Sequence, residues 1–146
     1  MLKKMVFLGT GGTIAGTATH ASDNVGYVAA QLGVGQLLKA IPGLQSALGE
    51  HVFLSEQVAQ VDSKDMGWSQ WRVLAERVGH YLEQPSVQSI VVTHGTDTLE
   101  ETAFFLSLYA IFVFVAVLYS LSSATSSLPI DLLESSNALL KSFTAL

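Results

Sequence analysis

At 146 residues the chain is one domain's worth, long enough to bury a core, with 49% apolar residues and only 13% charged against about 25% in an ordinary soluble domain. A net charge of −5 with no basic run excludes a nucleic-acid footprint, so no nucleic-acid partner is expected. With no cysteine there is no disulfide, thiolate nucleophile or Cys-type metal site, and His20, His51, His80 and His94 are scattered without ligand spacing, so no metal is expected.

The amino terminus is basic and then apolar, but the apolar run (residues 5–8) is too short for a signal-peptide core, which predicts cytoplasmic residence. Residues 3–8 read as a buried strand that runs straight into Gly9-Thr-Gly-Gly-Thr-Ile-Ala-Gly16. Glycines at a strand's carboxyl end serve where backbone turns sharply or a ligand approaches it, and that edge is where open α/β sheets build sites. Thr10 and Thr13 place two hydroxyls in this loop. A phosphate-binding P-loop needs a Lys that is absent, and the dinucleotide fingerprint counted from Gly9 meets Ile14 where its third glycine belongs. A small-ligand or phosphate-binding loop without catalysis, or a plain glycine-rich turn, stays open.

Residues 16–25 are small and polar without a sustained period, which reads as a loop beside a site, of the kind that serves as a lid, with Tyr27 at its far end. Residues 33–40 form a short helical stretch stopped by Ile41-Pro-Gly43. Residues 51–61 half-alternate and predict a strand, followed by the loop Asp62-Ser-Lys-Asp-Met66. Trp68, Trp71, Leu74, Ala75, Val78, Tyr81 and Leu82 recur at helical spacing, predicting an amphipathic helix over 68–82 with both tryptophans in the core. Residues 87–93 predict another strand, delivering His94-Gly-Thr-Asp97. Thr98 and Glu101, or Asp97 and Glu100, then form a capping box for a helix to about Tyr109. Strand and helix in alternation predict a parallel sheet with right-handed crossovers, and three strand ends bring Thr13, Ser63 and Thr96-Asp97 to one edge.

Thr10-Gly-Gly-Thr-Ile-Ala-Gly16 and His94-Gly-Thr-Asp-Thr-Leu-Glu-Glu-Thr-Ala103 resemble the two signatures of bacterial-type L-asparaginases and glutaminase-asparaginases, and the similarity runs over roughly residues 3–108. The resemblance implies the family's Rossmann-like, three-layer α/β amino-terminal domain, here incomplete, over residues 1–109. It implies hydrolysis of L-asparagine, with L-glutamine as the alternative substrate, to the amino diacid and ammonia, without a metal or organic cofactor. Thr13 is then the nucleophile, Tyr27 the lid tyrosine and Thr96 the second active-site threonine. Ser63 grips the substrate α-carboxylate and Asp97 holds its α-ammonium, while the backbone at Gly12 and Gly95 offers N–H groups to an oxyanion. For a complete chain the resemblance implies a homotetramer, a dimer of dimers. Lys64 stands where many members have glutamine or serine.

From about residue 108 the pattern departs. Glycine and charge disappear between Thr102 and Ile130, and serines crowd the region after Tyr119. The strand and loop of the family that should follow, the lysine that pairs with the second threonine, and the second domain are not found here. Residues 110–146 therefore stand apart as an atypical tail. Three readings of it are open: a membrane anchor over 103–119, marginal against the about 20 residues a span needs; a buried helix followed by a strand over 112–118, with no turn residue to join them; and a frame shift near Leu108, which the abrupt change of composition favours. On the resemblance, residues 1–146 alone are expected to be inactive.

Overall fold

In the computed structural model, residues 3–18 and 28–124 are described. Three parallel strands, β1 (Lys4–Gly11), β2 (Val52–Val61) and β3 (Val87–Thr93), lie in the order β2-β1-β3. The central strand is the apolar run read first in the sequence. It runs three residues further than expected, through the first glycines of the motif.

Side chains alternate across β1, and each face is covered by different helices. Phe7 packs with Val34 and Leu38 of α1 (Val34–Lys39) and with Leu48 of α2 (Leu44–Leu48), joined by Met5, Leu44 and Phe53. The Phe7 and Phe53 rings meet edge-on at 6.3 Å. Val6 and Leu8, on the opposite face, are fully buried, as is Leu74 of α3 (Trp68–Leu82). Burying each such side chain stabilises the fold by roughly 1.5–3 kcal/mol. Glu56 on β2 pairs in register with Leu8, and its carboxylate takes Arg77 of α3 (Nε to Oε1 2.6 Å, Nη2 to Oε2 2.8 Å) and the Tyr81 hydroxyl at 2.7 Å. The result is the expected three-layer α/β arrangement. β1 passes to β2 over one face, and β2 passes back across β1 to β3 over the other. Opposite directions over opposite faces give both crossovers the same hand, as the rule for parallel connections requires.

Two helices begin on a borrowed side chain. Gln36 Oε1 accepts the Gly33 N–H and Gln70 Oε1 accepts the Gly67 N–H, each at 3.1 Å, the half of a capping box that the third helical residue supplies. Gln57 on β2 adds a third tie, accepting the Val34 N–H at 2.6 Å while donating to the Ala59 carbonyl at 2.6 Å. It sits where the β1–β2 register shifts between Gly9 and Gly11.

Two expectations are corrected. Trp68 lies on the apolar stripe of α3 but is 67% exposed, because it is the first residue of the helix and precedes the stretch, from Leu74 on, that lies against the sheet. The Thr98 hydroxyl donates to the Ser63 carbonyl at 2.8 Å and so also joins two loops. The last described helix, α4 (Leu99–Ala124), continues well past Tyr109 and takes in the stretch read alternatively as a strand over 112–118. No Gly, Pro, Asn or Asp interrupts that stretch, so nothing in it ends a helix. The chain divides into two compact units at Thr102/Ala103. Among the described residues of the second unit the chain is helical, with the Ser107 hydroxyl donating back to the Ala103 carbonyl at 2.8 Å. Among the described residues, no helix is long and apolar enough to cross a membrane.

Candidate active site

The carboxyl ends of the three strands converge through two glycines. Gly12, with φ +74°, packs so closely on Gly95 that a Cβ there would collide with the Gly95 Cα and N. A Cβ on Gly95 would collide in turn with the Ser63 hydroxyl, and would lie 2.7 Å from the Ser63 Cβ and 2.9 Å from the Gly12 Cα. Side chains essentially never approach so closely, so only glycine at both positions lets the loops after β1, β2 and β3 meet.

The loop after β1 is pinned on both sides of Thr13. The Gly12 N–H donates to the Val61 carbonyl at 2.8 Å, turning that amide toward β2. The Gly12 carbonyl accepts from Ala15 N at 3.1 Å and from Ala30 N at 3.0 Å. Ala15, 1% exposed, closes the 3-10 turn Thr13–Ala15 and accepts from Gln31 N at 2.6 Å and Leu32 N at 2.7 Å. Ala30 itself adopts φ +57°, a strained conformation for a residue with a Cβ. Between these anchors Thr13 is exposed. One residue before the paired glycines, Thr10 is 2% exposed and its hydroxyl donates to the Thr93 carbonyl at 2.9 Å.

The loop after β2 opens with the 3-10 turn Ser63–Asp65. Ser63 is 2% exposed; its Oγ accepts the Asp97 N–H at 3.2 Å and its carbonyl takes the Thr98 hydroxyl. One hydroxyl proton of Ser63 is left to donate. Lys64, beside it, pairs with Asp62 at 3.0 Å. That contact holds the Asp62 carboxyl below the usual carboxylate range. It also raises the Lys64 ammonium, with Asp65 and then Asp97 adding smaller pulls. Lys64 is thus within electrostatic reach of Asp97.

The loop after β3 is braced from behind. His94 Nδ1 lies 2.8 Å from the Gly95 carbonyl and Nε2 lies 2.9 Å from the Thr102 hydroxyl, which also accepts the Trp71 indole N–H at 2.9 Å. A carbonyl only accepts, so Nδ1 carries the proton, and in the neutral ring Nε2 takes the Thr102 hydroxyl proton. In front of this brace Thr96 and Asp97 are both exposed, where α4 begins with Glu100 and Glu101 in its first turn.

Of the residues singled out by sequence, Thr13, Gly12, Ser63, Gly95, Thr96 and Asp97 lie at this one sheet edge. Gly12, Gly95 and Ser63 touch, and Ser63 bonds Asp97. Among the described residues no hydrogen bond joins the Thr13 and Thr96 hydroxyls. Tyr27 lies outside the described residues. Sequence reasoning missed the Thr10 bond and the Trp71–Thr102–His94 brace. The spacing of Thr10 to the glycines was visible, but a partner 83 positions away was not. Among the described residues no group of three His, Cys, Asp or Glu side chains is placed to hold a metal ion.

This geometry can present an alcohol, a carboxylate and backbone amides to one small polar molecule. The family model described as "Asparaginase, N-terminal" matches residues 4–142. A glutaminase-asparaginase of Pseudomonas fluorescens biotype A is 41% identical over 107 residues, 73% of this chain and 29% of the relative. L-asparaginase 2 of Bacillus subtilis (strain 168) is 40% identical over 107 residues, 73% of this chain and 28% of the relative. The crystal structure of a probable cytoplasmic L-asparaginase from Campylobacter jejuni superposes with a TM-score of 0.65 at 36% identity, covering 71% of this chain and 31% of that one. The chain therefore spans less than a third of the length of these relatives.

Proposed function

Because the chain belongs to the asparaginase family, we propose that it forms the amino-terminal part of an amidohydrolase acting on L-asparagine, with L-glutamine as the alternative substrate, and that Thr13 is the nucleophile. The observation that carries this reading is the meeting of Gly12, Gly95 and Ser63, around which Thr13, Thr96 and Asp97 are exposed on neighbouring loops. The Thr13 Oγ attacks the side-chain amide carbon and gives its proton to a neighbouring base, which on the resemblance is the lysine that pairs with the second threonine, Thr96. The carbonyl oxygen becomes an oxyanion held by backbone N–H groups. Since the Gly12 N–H is already spent on Val61, the donors beside Thr13 are the amides of Thr13 and Gly95, and Gly12 serves by letting the loops touch. The C–N bond then breaks, the nitrogen takes a proton and leaves as ammonia, and water cleaves the resulting ester, returning a proton to Thr13. No metal or organic cofactor enters these steps.

Asp97 faces the substrate α-ammonium, a charge-assisted contact. Ser63 uses its remaining hydroxyl proton for the α-carboxylate, and Lys64 adds a cation close by. Tyr27 takes the lid tyrosine's role that the resemblance implies; Thr17 and Val28, described residues on either side of it in sequence, are joined by a two-bond antiparallel bridge. We place the active protein in the cytoplasm as a homotetramer, with residues 1–109 as its amino-terminal α/β unit and 110–146 as a separate tail. Residues 1–146 alone are inactive in this proposal, since the lysine expected to pair with Thr96 is not among them.

The test is ammonia release from L-asparagine by residues 1–146 alone and by residues 1–108 joined to the second half of the Bacillus subtilis relative. Release only from the joined protein, abolished by Thr13→Ala, supports the proposal. Comparable release after Thr13→Ala overturns it.

A further inference from the structure

Thr10 stands in the signature beside the nucleophile but has no part in the chemistry above. Its hydroxyl is buried, and it donates to the carbonyl of Thr93, the last residue of β3. The β1–β3 ladder ends at the pair Gly9–Thr93. Past that rung, β1 leads into Gly12-Thr13 and β3 into Gly95-Thr96, and the two loops touch through glycine backbones that carry no interlocking side chains. Meanwhile the Gly12 N–H bonds to Val61, on the β2 side. The end of β1 is thus drawn toward β2 by its main chain, and the Thr10 hydroxyl is the side-chain tie holding it to β3.

We propose that Thr10 is a positioning residue: its hydroxyl clamps the ends of β1 and β3 and so sets the spacing between Thr13 and Thr96. A β-branched side chain suits this task, because its χ1 is stiff on a strand and the hydroxyl stays aimed across the mouth. The purpose given to that spacing rests on the amidohydrolase reading, but the clamp itself does not. The two active-site hydroxyls act together only at fixed separation, and a displacement of about 1 Å costs on the order of a hundredfold in rate.

The test uses the full 146-residue chain, which has no cysteine of its own. Thr13→Cys and Thr96→Cys, both at exposed positions, carry nitroxide labels, and the inter-label distance distribution is read from dipolar broadening of the spin-resonance spectrum. Thr10→Val should broaden the distribution, and Thr10→Ser, which restores the hydroxyl, should return it to that of the parent. Should the valine chain not fold, Thr10→Ala takes its place. A distribution unchanged by loss of the hydroxyl, or serine behaving as valine does, overturns the clamp. In the joined protein with its natural Thr13 and Thr96, Thr10→Val should lower kcat about ten- to a hundredfold with KM little changed. Failure of the parent to release ammonia would count against the amidohydrolase reading and leave the distance result standing.

Discussion

The Asp97 N–H donates to the Ser63 Oγ at 3.2 Å, so the loop after β2 fixes the backbone of the loop after β3 at the residue that carries the exposed carboxylate. Ser63→Ala removes the acceptor of a part-buried N–H and the hydroxyl that Gly95 packs against. We expect a loss of about 1–3 kcal/mol, measured by urea unfolding. A change within error would mean that the bond contributes nothing to holding the loops.

Gly12→Ala combines a left-handed backbone with a collision against Gly95. The two effects together should cost ~2–4 kcal/mol in unfolding free energy. Thermal melts of Gly12→Ala beside Gly43→Ala separate them: Gly43 has φ +75° and open space around it, so its variant suffers the strain alone.

For the joined protein, Thr13→Ala should lower kcat by at least about a thousandfold, as removal of a nucleophile does, while Thr13→Ser keeps part of the rate. Asp97→Asn should raise KM for L-asparagine about ten- to a hundredfold through loss of a charge-assisted contact. Steady-state kinetics with ammonia detection reads both, and an unchanged KM removes Asp97 from ammonium recognition.

Arg77 holds the Glu56 carboxyl below its ordinary range, with Tyr81 adding to the effect against the opposing pull of burial. A carboxyl whose folded pKa is depressed contributes stability above its unfolded pKa and loses it as pH falls through the folded value. The parent should therefore exceed Glu56→Gln in stability at pH 6, and the gap should close as pH falls below about 4. Both partners are about a third exposed, so the gap at pH 6 should be no more than about 1 kcal/mol. Denaturant midpoints across that pH range check it; a gap that stays constant with pH would remove the ion pair as its cause.

Thr102→Val breaks the link between the Trp71 indole and His94. A destabilisation of about 1–3 kcal/mol is expected. The indole N–H resonance of Trp71 should move upfield as its acceptor is lost, while Thr102→Ser keeps both properties near the parent's.

Much of the sheet was legible because β1 and β3 are short apolar runs ending in glycine or in Thr-His-Gly and β2 half-alternates, and α3 was placed residue for residue by its stripe. What escaped was whatever depends on a partner far along the chain. Thr98 has the local pattern of a capping residue, and only the approach of Ser63 gives its hydroxyl another task. Trp68 fits the stripe, but periodicity does not say where the covering sheet stops. The course of α4 failed for a different reason: the helix was ended near Tyr109 although the local sequence offers no residue that would stop it there. In the site, the spacing of the glycines to Thr13 and Thr96 was visible, and the identity of the surfaces those glycines touch was not.

The central position of β1 has a bearing on synthesis. It precedes both of its neighbours in the chain, residues 52–61 and 87–93. A nascent chain that ends before residue 87 can pair β1 on one side only, and the Val6 and Leu8 face waits for α3 to be complete. Until Thr93 has emerged, the most apolar strand keeps an open edge, a template for pairing with other chains. Between residues 11 and 93 a growing chain therefore exposes a strand edge that the folded sheet covers.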